Sequence, residues 1–255
     1  MQMKHRSRYV FGSAIATVAI GGIPGLIHQA NAVIITSADF TFDSNSAAAS
    51  SSTTGISYLA DIGTGTAYGV HANNSTFTFS SGNGSYNSLS ANNFAAGDYF
   101  EFAVPTTSLA SLIVSFDTVA SSTGPASFEL AYSTDGTNFS SYSSFIPIHA
   151  TSLVSYNATY DGTVAASIGS TKNDTSFSNS FSASSFNFAF DLSTIPGLTN
   201  DPNAAFELIA LTSGAATGTT RIDNFIVSGS SVPEPASLAL MSLAAASALV
   251  RRRKN

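Results

Sequence analysis

FNFAFDL, residues 186–192, decides the fold class. Side chains alternate faces along an extended strand, so Phe186, Phe188, Phe190 and Leu192 point one way and Asn187, Ala189 and Asp191 the other. A helix would need apolar residues three and four apart, and no stretch of the central chain sustains that spacing. The same alternation recurs in YFEFAV (99–104), with Phe100, Phe102 and Val104 on one face and Glu101 on the other. LIVSFD (112–117) turns Leu112, Val114 and Phe116 together, and SFELAYS (127–133) does so with Phe128, Leu130 and Tyr132. A sheet with a phenylalanine face needs a second sheet to cover it, which is a sandwich.

Working outward, YSTDGTNF (132–139) holds Asp135-Gly136, a hairpin signal between strands. AFELIALT (205–212) and RIDNFIVSG (221–229) read as the last two strands, and further candidates are Ile34–Phe42, Ala67–Val70 and Thr76–Ser80. Roughly eight to twelve short strands in such a chain predict an all-β fold, an antiparallel, jelly-roll-like sandwich. GTGTAYG (63–69) lacks both the spacing and the following helix of a phosphate-binding loop and reads as a turn. Ser44–Thr54 reads as a loop, Thr151–Ser185 as a long, partly stranded excursion, and no tandem repeat is evident.

The chain has 255 residues, of which 9% are charged, while 44 Ser, 26 Thr and 17 Asn take their place. With 44% hydrophobic residues, 19 of them Phe, a core is well supplied and wholesale disorder is not expected. The absence of Cys excludes disulfides, thiolate metal sites and cysteine nucleophiles. Seven of the nine cations lie near the ends; residues 33–231 hold only Lys172 and Arg221 against 14 acids, a net charge of −12. Such a body cannot neutralise a phosphate backbone, so nucleic acid is not an expected partner.

The two ends are addresses. A basic MQMKHRSRY, an apolar run from Val10 to Ile27 broken by Pro24-Gly25, and the small-x-small pair Ala30 and Ala32 form a secretory signal peptide, 1–32, with cleavage by signal peptidase expected after Ala32. At the other end, 232–255, Val232-Pro233-Glu234-Pro235 precedes an apolar stretch from Ala236 to Val250 and the basic tip Arg251, Arg252, Arg253 and Lys254. Those 15 residues reach about 22 Å as a helix, a short transmembrane span suited to a transient hold in the inner membrane. The basic tip would stay on the cytoplasmic side. The β-sandwich body is 33–231.

VPEPAS (232–237), one hydrophobic segment and an arginine cluster together resemble a PEP-CTERM sorting signal. The resemblance implies recognition by exosortase, a membrane-embedded, transpeptidase-like cysteine enzyme of Gram-negative producers of exopolysaccharide. It also implies removal of the signal near Pro-Glu-Pro and delivery of the body to the cell surface or beyond. The order FDT (116–118), STGPASFELAYSTDGTNF (122–139), FDLSTI (190–195) and GTTRIDNFIVSG (218–229) resembles a recurring group of secreted PEP-CTERM proteins. Those are taken to be β-sandwiches without an assigned activity.

Catalytic motifs are absent: neither G-x-S-x-G nor H-E-x-x-H occurs. In the body only His71 and His149 could serve as a base, and both read as loop or strand-end residues. Glu101, Glu129 and Glu207 are the body's glutamates, and outward-facing strand positions account for all three without catalysis, although a glycosidase pair would use two such groups. No metal ligands stand out; calcium, which takes oxygen ligands, is the one cofactor the acidic, Asn-rich surface leaves open. Asp223 has Arg221 or a nearby loop as its candidate partner. Tyr68, Tyr86, Tyr142, Tyr156 and Tyr160 are the aromatic residues available to stack on sugars. The expectation is an exported, exosortase-processed, non-enzymatic surface or matrix protein associated with exopolysaccharide or biofilm. The alternative is a carbohydrate-binding module, and a secreted hydrolase ranks below both.

Overall fold

The alternating segments become strands in the computed structural model, which describes residues 33–44, 57–71, 77–149, 159–160, 163–164 and 176–231. In chain order these are β1 (Ile34–Phe40), β2 (Tyr58–Leu59), β3 (Ile62–Gly63), β4 (Thr66–Val70), β5 (Phe77–Ser80), β6 (Ser88–Asn92), β7 (Tyr99–Ala103), β8 (Leu109–Ala120) and β9 (Phe128–Ser133). They continue as β10 (Ser140–Phe145), β11 (Ile148–His149), β12 (Thr159–Tyr160), β13 (Thr163–Val164), β14 (Asn187–Asp191), β15 (Ala205–Ala210) and β16 (Thr219–Ser231). Among the described residues the sole helical element is a 3₁₀ turn at Ser184–Phe186.

Two sheets carry the fold. The eight-stranded one is organised on the long pair β8 and β16. On its other side β16 pairs with β6 at one end and with β1 at the other, from Ile34↔Ser230 to Phe40↔Phe225. The far side of β8 holds β14 and the two-residue β11, the latter a parallel pairing in an otherwise antiparallel arrangement. The six-stranded sheet runs β10-β9-β15-β7-β4-β2.

Between the sheets lies a core of phenylalanine: among the described residues each of the 12 largest fully buried side chains is Phe, and 11 of them belong to this core. Phe102 of β7 stacks on Phe225 of β16 with centroids 3.6 Å apart, and Phe40 of β1 meets Phe102 edge-on at 5.3 Å. Phe116, Leu112 and Val114 on β8, and Phe128 and Leu130 on β9, are buried as their alternation requires. β14 places Phe188 and Phe190 inward; Phe186, just before it, joins a separate cluster with Val119, Phe177 and Ala183.

A bulge and a hairpin loop set the polar residues of the two sheets in place. The register of β16 shifts after Asp223, where Asn224 takes φ 48°, a left-handed conformation that Asn tolerates better than most residues. The extra residue keeps both Ile222 and Phe225 buried. The β9–β10 hairpin forms where Asp135-Gly136 predicts it, with a six-residue loop. Asp135 accepts hydrogen bonds from the side-chain amide of Asn138 at 2.6 Å and from the backbone N–H groups of Asn138 and Thr137 at 2.7 and 2.9 Å, holding its carboxyl well below the usual range. Most of Ser44–Thr54, and Thr151–Ser185 apart from β12, β13 and the segment from residue 176, lie outside the described residues.

Candidate functional site

Each sheet sets two carboxylates directly opposite one another on adjacent central strands, and the two pairs are treated differently. On the eight-stranded sheet Asp117 of β8 faces Asp223 of β16. Asn83, Asn187 and Asn224 donate from their side-chain amides to Asp117 at 2.9, 3.0 and 2.8 Å. Asp223 accepts from the backbone N–H of Asn83 and the hydroxyl of Ser85, both at 2.6 Å, and from the N–H of Asn224 at 2.9 Å. Burial, with a smaller contribution from Asp117, pushes Asp223 up to about 7 despite these donors. Asn83 also bonds both ways with the backbone of Ala183, which fixes its amide with N–H groups toward Asp117. The motifs FDT and RIDN thus meet in a closed network that staples the loop around Asn83 and the chain at Ala183 to the sheet. Asp223 takes the nearby loop as its partner.

His71 reads as a loop residue, but it is 2% exposed, between the rings of Phe77 and Phe94. Its Nδ1 lies 3.0 Å from a carboxylate oxygen of Asp98, and its Nε2 has no partner among the described residues. Burial outweighs Asp98 and lowers the imidazole below its ordinary range. A neutral ring wedged between two phenylalanines is a packed core residue with no hydroxyl on its free nitrogen. The side chain of His149 lies outside the description. Among the described residues no three His, Asp or Glu side chains gather as a metal cluster would.

The second pair is Glu101 of β7 and Glu207 of β15, opposite one another on the outer face of the six-stranded sheet. The alternation places them correctly with respect to the core, yet both are only 7% exposed where an outward strand position predicts a solvated group. Glu129, on the neighbouring β9, is half-buried as an outward strand residue should be. Tyr68 stands opposite Glu101 on β4 and hydrogen-bonds to it. Tyr99, two residues before Glu101, lies within the field of both carboxylates. Burial first, and the charge of Glu101 second, push Glu207 up to about 7; Glu101 is raised by burial and partly restored by Tyr68. Glu207 is therefore only partly ionised near neutral pH, and the pair offers a donor beside acceptors. Both project from the same sheet face, so they approach a ligand from one side.

The same sheet opens at its end into a groove of about 600 Å³, whose lining includes Leu59, Thr66, Ala103, Asp135, Gly136 and Asn203. Thr66 and Ala103 stand two residues from Tyr68 and Glu101 on the same strands, about 7 Å along the face. Of the remaining candidate tyrosines, Tyr86 is the most exposed and Tyr142 packs on the core with its hydroxyl donating to the Asp191 carbonyl at 2.7 Å. Tyr156 and the side chain of Tyr160 lie outside the described residues.

The last described residue, Ser231, ends β16. Residues 231–254 match the family model of the PEP-CTERM protein-sorting motif. The chain carries a PEP-CTERM signal. That signal implies export, processing by exosortase and a cell-surface or extracellular fate. No curated protein matches the chain. Sorting residues Val232–Pro235, the basic tip Arg251–Lys254 and the cleavage pair Ala30 and Ala32 fall outside the described residues. Among those described, no helix is long and apolar enough to cross a membrane.

Proposed function

We propose that this PEP-CTERM protein is a non-enzymatic building block of the cell surface or extracellular matrix, associated with exopolysaccharide. The observation that carries the reading is the position of the sorting motif, which starts at the final residue of the last strand. The described strands before it, apart from the small β12–β13 pair, form one phenylalanine-cored sandwich, and the signal can be removed without cutting into a strand. The body's chemistry supports a passive role. Among the described residues its buried histidine, His71, meets no nucleophile, and the facing Asp117 and Asp223 are occupied by amide and hydroxyl donors. In a producing strain, changing Pro233, Glu234 and Pro235 together to Ala should leave an unprocessed precursor in the inner-membrane fraction and deplete the surface and medium of the shorter form. Unchanged processing of that variant would sink the proposed route.

A further inference from the structure

The two carboxylate pairs make a controlled comparison within one molecule. Asp117 and Asp223 face each other under a loop whose amides and hydroxyl satisfy them. Glu101 and Glu207 face each other on the opposite side of the sandwich, and Tyr68 is their one donor among the described residues. Glu207, 7% exposed, accepts no hydrogen bond from a described residue, and what little of it is exposed includes its carboxylate oxygens. A carboxyl group with so little water and no protein donor is costly to ionise, and a ligand hydroxyl at the exposed edge would supply the donor it lacks. Around it stand two tyrosines, and an open groove begins one residue pair away, at Thr66 and Ala103.

We infer that the outer face of the six-stranded sheet, from the groove at Thr66 and Ala103 to Tyr68, Tyr99, Glu101 and Glu207, binds a neutral polysaccharide chain. Hydroxyl groups both donate and accept, which suits neighbouring carboxyls that share a proton. Tyrosine rings offer apolar faces to the C–H side of a sugar ring while their hydroxyls stay in the polar layer. The strip is elongated, as a polymer requires. An anionic polymer would meet Glu101, Glu129 and Glu207 with no cation on any strand of this sheet. A cationic peptide would need both facing carboxyls ionised, which their burial opposes. This inference deepens the proposed matrix role by naming the ligand class and the face, and depends on that role only for where the polysaccharide comes from.

Affinity electrophoresis tests it, with the exported, processed protein run through native gels holding hydroxyethyl cellulose, xyloglucan, galactomannan, laminarin or dextran, with alginate and polylysine as charged comparisons. Retardation by at least one neutral polymer is expected, weakened about tenfold or more in Tyr68→Ala and Glu207→Ala and unchanged in Tyr86→Ala. Glu207→Gln, which keeps the shape and a hydrogen-bonding group, should retain binding within about threefold, and thermal melts establish that each variant is folded. Retardation by no neutral polymer, by polylysine alone, or equally in all variants overturns the inference. Release of reducing ends from a bound polymer would overturn the non-enzymatic reading and leave the binding face standing. A failure of exosortase processing would leave both binding results unaffected.

Discussion

Two like charges directly opposite on neighbouring strands repel, and burial makes each harder to ionise. For Glu207 the consequence has a definite sign. Its folded value, about 7, lies above its ordinary 4.5, so between those values the folded chain keeps a proton that the unfolded chain has released. Stability from this residue therefore falls as pH rises through that window, and below about pH 4.5 the residue is neutral in both states. Glu207→Gln should raise the stability measured by urea unfolding by about 1–3 kcal/mol at pH 8 and change little at pH 4. Asn83→Ala should act in the opposite direction. It removes donors from Asp117 and the Ala183 carbonyl and the acceptor of the Ala183 N–H, at a cost of about 2–4 kcal/mol in the same assay.

At the scale of elements, β16 holds the sandwich together because it touches β8, β1 and β6 and sends Phe225 against Phe102 of the other sheet. Phe225→Ala should cost about 3–5 kcal/mol, read as a lower urea midpoint, since four other rings around it cannot close on the gap. β7, β8, β9 and β14 are legible in the sequence because each buries phenylalanine on one face and shows polar groups on the other. β6 is not legible: Ser88, Leu89, Ser90 and Ala91 are all buried, so its two faces carry no contrast. β2 and β3, of two residues each, are too short to show any period. The same limit applies to the site. Alternation gives the outward direction of Glu101 and Glu207, but their burial comes from pairing β7 with β4 and β15, residues far apart in the chain. His71 is misjudged for the same reason, since Phe94, which covers it, is distant in sequence.

The whole molecule brings the two ends of its described body together. The N–H of Ser231 donates to the carbonyl of Val33 at 2.9 Å, so the residue expected after signal cleavage and the last residue before Val232 lie side by side. Four residues, Val232 to Pro235, separate that point from the apolar stretch, a reach of at most about 14 Å. On the proposed route, a precursor held by the stretch would keep this end of the sandwich close to the bilayer, where Val33 and Ile34 are 63% and 70% exposed. Thr219, at the opposite end of the 13-residue β16, lies about 40 Å away, beside the exposed Ala216. Because the chain has no cysteine, single thiols can report on each end. With a bulky, membrane-impermeant maleimide, Ile34→Cys should label poorly in the membrane-held precursor and readily once the sorting signal is gone. Ala216→Cys should label equally in both states. Equal labelling of Ile34→Cys before and after processing would show that the body stands away from the membrane while it waits for exosortase.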